Sequence, residues 1–255
     1  MHMQAPMESG YVPAMAGHRE GRQDVHHIKI ANARNLDEFL SPPRQARSRE
    51  SMSRVLEAFS ALLRDRPYDR IRVDEIAARA GTSTSSIYAR FKDKRAILMV
   101  LHVDVAERAL EHHKNLCNPR RHKSKPVSVM MSDIASGFRQ WYITNRNFLH
   151  AILTTDDEAA YTRGKLVFRE TADHFSQSFS EIFPEADRQQ LRRVANLVVR
   201  TLSATLQQMT VYGDLHREKA IIEDLRELLT SHLQAVANPA SNSDRYIQPP
   251  LHHTS

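Results

Sequence analysis

The 255-residue sequence is short of cysteine and glycine and has no long apolar run. Cys117 is the only cysteine, so no internal disulfide can form, and a reducing compartment suits that count. Glycine numbers only 7, and runs of strand bounded by glycine are hard to find, which favours an all-helical chain over a sheet protein. No apolar stretch approaches the roughly 18 residues that span a bilayer, so no membrane association is expected. The N-terminal MHMQAPMESGYVPAMAGHREGRQ lacks the apolar centre of a secretory signal, and a soluble, cytoplasmic protein is expected. There is no Gly-rich phosphate loop, no His-Glu-x-x-His run, no cysteine pair and no nucleophile elbow, so neither an enzyme nor a cofactor is expected. The nearest approach to paired carboxylates is Asp156-Asp157-Glu158, and with Thr154-Thr155 before it, that run reads more simply as a helix cap followed by first-turn acids.

What is present begins with charge and its location. Apolar residues make up 41% of the chain, enough for a packed core in one large or two small domains. The net charge is +6, and the stretch from Arg44 to Arg95 carries all of it, with 13 Lys/Arg against 7 Asp/Glu. Positive charge gathered in one segment suits a polyanionic partner, because each neutralised phosphate releases counterions. A merely solvated basic face would look the same in composition.

The chain divides by pattern. Residues 1–43 mix Gly, Pro, His, Asn and Arg without helical period and end on Pro42-Pro43, so they read as a disordered extension. Residues 238–255 read as a disordered tail. From Arg47, Met52, Val55, Leu56, Phe59, Leu62 and Leu63 mark one face of a first helix that stops before Pro67. A second helix at 73–80 carries Val73, Ile76, Ala77 and Ala80 and ends on Gly81. A third, at 83–91, turns Ile87 and Phe91 inward. Asp93 caps a fourth helix through Ile97, Leu98, Leu101 and Val105. Residues 114–126, KNLCNPRRHKSKP, read as a basic loop. Helices are expected again at 127–144, 147–154, 157–183, 187–212 and 217–237.

The helices at 73–80 and 83–91 are joined by about three residues around Gly81, which is helix-turn-helix spacing. Such a unit lays the start of its second helix in the major groove of double-stranded DNA. Thr84, Ser85 and Ser86 stand there, small enough for close approach and able to donate or accept hydrogen bonds. The free N–H groups of that helix start would also attract phosphate. Read by spacing alone, the same hydroxyls could be capping residues of an ordinary helical hairpin.

The stretch VDEIAARAGTSTSSIYARFKDKRAIL, residues 73–98, closely resembles the DNA-binding signature of the tetracycline-repressor (TetR) family. The resemblance lies in Ile76-Ala77, Ala80-Gly81-Thr82-Ser83, Ile87-Tyr88, Phe91 and Lys92-Asp93-Lys94, and it extends back through the first helix. It implies an all-α protein in which a three-helix DNA-binding domain at 44–95 is linked by a fourth helix to a helical effector-binding and dimerisation domain at 96–237. It also implies a transcriptional repressor on a palindromic operator, modulated by a small molecule. Ser83, Thr84, Ser85 and Ser86 would face the DNA, Tyr88 would send its hydroxyl to a phosphate, and Lys94 would contact the backbone. Arg90 stands where His or Tyr is common, and either a phosphate or a guanine would suit it. Arg72 stands where a Ser or Thr cap is usual, and Ser85 replaces a frequent Gly.

The C-terminal half matches the family only in general layout. One long helix carries Leu191, Val194, Val198, Leu202, Thr205 and Met209. The other carries Ile221, Ile222, Leu225, Leu228, Leu229, Leu233 and Val236. The resemblance implies a homodimer through these helices at 187–212 and 217–237, although each stripe could serve the monomer core alone. Between them and the fourth helix, Phe138, Trp141, Tyr142, Phe168 and Phe175 are the effector-pocket candidates, suited to an apolar or aromatic molecule; each could equally be core. Histidine is plentiful at 14, but adjacent histidines such as His112-His113 point to different sides of a helix, and no metal site is expected. Lys114, Arg120 and Arg121 near Cys117 would lower a thiol pKa if they faced it. The alternative to a ligand-controlled regulator is an interaction protein on the same helical scaffold, against which Tyr88, Lys94 and the local positive charge argue.

Overall fold

A computed structural model describes residues 46–213 and 219–238, and the elements among them are helices. The expectations for residues 1–43 and, apart from Asn238, for the tail lie outside the described residues. Among the described residues no helix is long and apolar enough to cross a membrane.

Helix α1, Ala46–Asp65, buries the expected stripe from Met52 to Leu63. Pro67 lacks an N–H and closes it, with the Arg66 N–H donating to the Leu62 carbonyl at 3.0 Å. A short 3-10 turn, Tyr68–Arg70, leads to α2, Val73–Ala80. The missing Ser/Thr cap at Arg72 is made good by Glu75, whose carboxylate accepts the Arg72 backbone N–H at 2.8 Å and pairs with Arg66 at 2.9 Å. Gly81 then adopts φ +63°. The Thr82 N–H reaches the Ala77 carbonyl and the Gly81 N–H reaches that of Ala78, the paired closure of a left-handed helix end.

Helix α3 is shorter than its apolar pattern suggests. It spans Thr84–Tyr88 rather than 83–91, because Arg90 and Phe91 both donate to the Ile87 carbonyl and the last turn tightens. Ile87 and Phe91 still plug the core. Helix α4, Lys94–Leu116, starts on Asp93, whose carboxylate accepts the Ala96 N–H at 2.7 Å. The basic loop expected at 114–126 is mostly absent. α4 runs on to Leu116, and α5, Pro119–His122, follows at once, with Asn118 as cap and proline in its first turn. Buried His122 donates from Nε2 to the Leu116 carbonyl at 2.8 Å and so closes the end of α4.

The remaining helices are α6 (Val127–Thr144), α7 (Arg146–Leu153), α8 (Glu158–Ile182), α9 (Arg188–Tyr212) and α10 (Lys219–Ala237). Asp157 and Asp187 cap α8 and α9, each accepting the N–H three residues on. α8 packs along α4 and α9, and α10 along α6 and α9. Two hydrophobic clusters result. One joins α1, α2, α3 and the first half of α4 to Phe148, Ala151 and Ile152 of α7. The other joins the end of α4 to α6, α8, α9 and α10. Leu191, Val194, Val198, Leu202 and Met209 of α9 lie inside this second cluster, so that stripe serves the monomer core. On α10, Ile222, Leu229 and Leu233 are buried, while Ile221 and Leu228 are exposed.

A Cβ at Gly81 would meet no atom within 4 Å, so a side chain there costs only backbone strain. Gly81→Ala is expected to lower stability by about 1–2 kcal/mol, the penalty of a left-handed L-residue. Denaturant unfolding measures it, and an unchanged midpoint would show that the turn does not depend on this glycine.

Candidate nucleic-acid interface and effector chamber

The turn at Gly81 sets α3 out on the surface. Ser83 is its cap, the hydroxyl accepting the Ser86 N–H at 3.2 Å. The same hydroxyl lies 2.9 Å from Ser85 Oγ and 2.8 Å from Ser86 Oγ. Three of the hydroxyls expected to face DNA therefore form one small network, while Thr84 stands beside it exposed. Tyr88 is 55% exposed, which removes the reading of it as core. Ile87 alone anchors the helix.

Arg90 and Lys94 are engaged within the protein. Arg90 donates from Nη1 to Ser51 Oγ and to the Ser86 carbonyl, both at 3.3 Å, tying the end of α3 to α1. The Lys94 ammonium donates to the carbonyls of Tyr68 and Ile71, each at 3.0 Å, and sits 4.0 Å from the centre of the Tyr68 ring. Its partial burial lowers its pKa from the usual lysine range. An ammonium has three donors, so one is left for a partner outside the protein.

Behind this unit, α4, α6, α7 and α8 enclose a chamber of about 240 Å³. Trp141, Tyr142 and Phe168, three of the five sequence candidates, line it. Phe138 and Phe175 do not. They are fully buried beneath it, where Phe138 stacks flat on His113 at 4.2 Å and meets Phe175 edge-on at 6.1 Å. Sequence reasoning missed most of the polar wall. His102, His113, Asp157, Lys165 and Gln207 all border the chamber. The signal for His113 was its place on the buried face of α4 with Val105, Ala109 and Leu116, spaced as a core stripe.

His102 and His113 are more than nine-tenths buried, and each keeps one ring nitrogen without a hydrogen-bond partner: Nδ1 of His102 and Nε2 of His113. Burial drives both toward the neutral form, His113 down to about 3 and His102 down to about 4. Burial likewise pushes the Tyr142 phenol up to about 12, and Gln207 donates to its oxygen at 3.4 Å. The chamber thus presents neutral hydrogen-bonding groups in an apolar wall. Among the described residues no group of His, Cys, Asp and Glu is placed to hold a metal ion.

Cys117 is a passive thiol. Its basic sequence neighbours do not activate it: the thiol is fully buried, and burial pushes its pKa well above the usual thiol range. The acidic run at 156–158 also resolves. Besides capping α8, Asp157 is ion-paired with Arg95 at the start of α4, and Asn147 of α7 donates to the Leu63 carbonyl of α1 at 2.9 Å. A wall of the chamber is therefore bonded directly to the unit that carries α3.

Residues 55–100 match the model of a family described as "Bacterial regulatory proteins, tetR family". The fold is similar to a TetR-family transcriptional regulator from Streptomyces coelicolor, at 14% identity and a TM-score of 0.56, over 75% of this chain and 83% of that one. It is also similar to the regulator FadR from Bacillus subtilis, solved with stearoyl-CoA, at 15% identity and a TM-score of 0.50, over 70% of this chain and 97% of that one. Comparison with curated proteins by sequence finds no match.

The two neutral histidines make stability depend on pH. An unfolded imidazole takes up its proton near pH 6.5, whereas these two resist until about 4 and 3. Between those values the unfolded chain binds more protons, so their contribution is whole above about pH 6.5 and is lost as pH falls. From about pH 7 to about pH 5 each histidine should cost about 2 kcal/mol of stability. His113→Phe keeps the stack on Phe138 and removes the proton uptake. Unfolding followed across pH should become shallower in that variant, and an unaltered profile would count against the assignment.

Proposed function

We propose that this chain, which belongs to the TetR family of bacterial regulatory proteins, is a cytoplasmic homodimeric repressor that reads a palindromic operator through α3 and is controlled by a small molecule in the chamber. The observation that carries the reading is the physical link between the two places. Asp157 borders the chamber and pairs with Arg95, the residue after Lys94. Phe148 and Ile152 border the chamber and belong to the hydrophobic cluster of α1, α2 and α3. A molecule that shifts α7 or the start of α8 therefore shifts the platform of α3. By linkage, operator binding weakens effector binding by the same factor.

On the DNA side, Thr84, Ser85 and Ser86 read base edges, with Ser83 holding their helix, Tyr88 reaches a phosphate, and Arg90, tied to Ser51 and the Ser86 carbonyl, holds the end of α3 beside a phosphate or a guanine. Lys94 acts mainly as the clamp that fixes α4 against the 3-10 turn, and offers its third donor to the backbone. The dimer forms through the surfaces of α9 and α10, where Leu197, Tyr212, Ile221 and Leu228 remain exposed. One reading helix of five residues meets too few bases for specificity, and a second copy one DNA turn away multiplies the discrimination.

Two experiments test this reading. Selection from random duplex DNA should return an inverted repeat, and Tyr88→Phe should bind it about tenfold or more weakly, the value of one hydrogen bond to a charged phosphate in each subunit. Recovery of no common sequence at low salt, or full affinity in Tyr88→Phe, contradicts the DNA assignment. Leu228→Glu should shift the sedimenting species from dimer to monomer and lose operator binding with it. A variant that still sediments as a dimer would place the interface elsewhere.

A further inference from the structure

The chamber borders a groove of about 790 Å³ between α8 and α9, and Tyr161, Lys165, Phe168 and Gln207 line both spaces. The chemistry changes across that border. The chamber wall is mainly Val105, Trp141, Phe148, Ile152 and Leu153, with Lys165 its only lysine or arginine and Asp157 its only carboxylate, already held by Arg95. The groove carries Lys165, Arg169, Arg192 and Arg200 against one carboxylate, Asp173.

All four cations are exposed, and among the described residues no ion pair engages any of them. Arg121 and Arg226, by contrast, pair with Asp133 and Glu223. Four like charges around one groove repel each other, and an anion of more than one charge relieves them. Guanidinium forks match phosphate oxygens in pairs.

We propose that the effector is an amphiphile with a phosphate-bearing head: the head lies in the α8–α9 groove on Arg169, Arg192 and Arg200, and an acyl or alkyl tail passes Lys165 and Gln207 into the chamber. The inference rests on the reading of the chamber as the effector site. The polar groups inside the chamber fit it. His102 and His113 are neutral, and their unpartnered nitrogens suit an uncharged oxygen such as an ester or thioester carbonyl. A bare carboxylate carried into the chamber would lose its water with no free cation beyond Lys165 to replace it.

Trp141 is the only tryptophan and lines the chamber, so its fluorescence reports chamber occupancy. The full-length protein is titrated with decanol, decanoyl-CoA and 1-decanoyl-lysophosphatidic acid. At least one of the phosphorylated probes should bind roughly tenfold more tightly than decanol, and whichever of the two gains more identifies a carrier-borne or a lipid head. Arg192→Ala/Arg200→Ala should remove that gain and leave decanol binding unchanged. Equal binding of all three probes, or a gain that survives in the double variant, overturns the groove assignment while the chamber reading stands. No fluorescence response to any probe defeats the chamber reading and this inference together.

Discussion

Seven successive residues of α4, from Ala96 to His102, are buried, and a stretch of helix with no solvent face must satisfy the cores on all its sides at once. The first half of α4 completes the cluster of α1, α2 and α3, and its second half lines the chamber and meets α8. Packed interiors do not yield by small continuous adjustments. A change on the chamber side is therefore taken up by moving the helix, not by local give. The Arg95–Asp157 pair ties α4 to the start of α8, and the Asn147 bond to Leu63 ties α7 to α1. Signal transfer, on the proposed reading, would need no long relay of side chains, because one rigid element belongs to both places.

The buried histidines of the chamber show how a wall group can be polar without being charged. His113 is held by a flat stack on Phe138 and by a contact of Nδ1 with Thr171 Oγ1 at 3.4 Å. His112 beside it turns outward, bonding the Gly137 carbonyl at 3.1 Å and stacking on Trp141. Consecutive histidines thus take separate tasks, one in the wall and one in the link between α4 and α6. An imidazole that stays neutral through the physiological range keeps one donor and one acceptor whatever the pH does outside.

The DNA-binding half was legible in the sequence because its turns are local. Gly81, Ser83 and Asp93 act on backbone groups within three or four residues, so residue type and spacing are enough to reveal them. The family signature at 73–98 falls on the same residues. The chamber was legible only in its aromatics, and there incompletely. Phe138 and Trp141 are three residues apart on α6, yet one is core and the other wall, because which face of α6 meets α4 depends on how α8 and α9 stack behind it. His102, Lys165 and Gln207 come from three different helices, and no periodicity within one helix brings them together. The apolar stripe of α9 read as a dimer seam for the same reason: a stripe shows that a face is covered, not what covers it.

Lys94 illustrates what sequence resemblance leaves open. Its position implies a backbone contact, and its ammonium is found tied to two carbonyls that end the 3-10 turn. The Tyr68 carbonyl also accepts the Ile71 N–H at 3.1 Å, whereas the Ile71 carbonyl is held by Lys94. Drawing Lys94 fully onto a phosphate would take that donor from Ile71 and loosen the joint between the 3-10 turn and α4. A phosphate that approaches while the clamp holds meets a cation whose burial has lowered its pKa, and the phosphate's charge raises it again. Phosphate and clamp then favour the same protonated, seated ammonium. On the proposed DNA-binding role, Lys94 would serve best by staying where it is, so that a phosphate contact tightens the joint that carries α3.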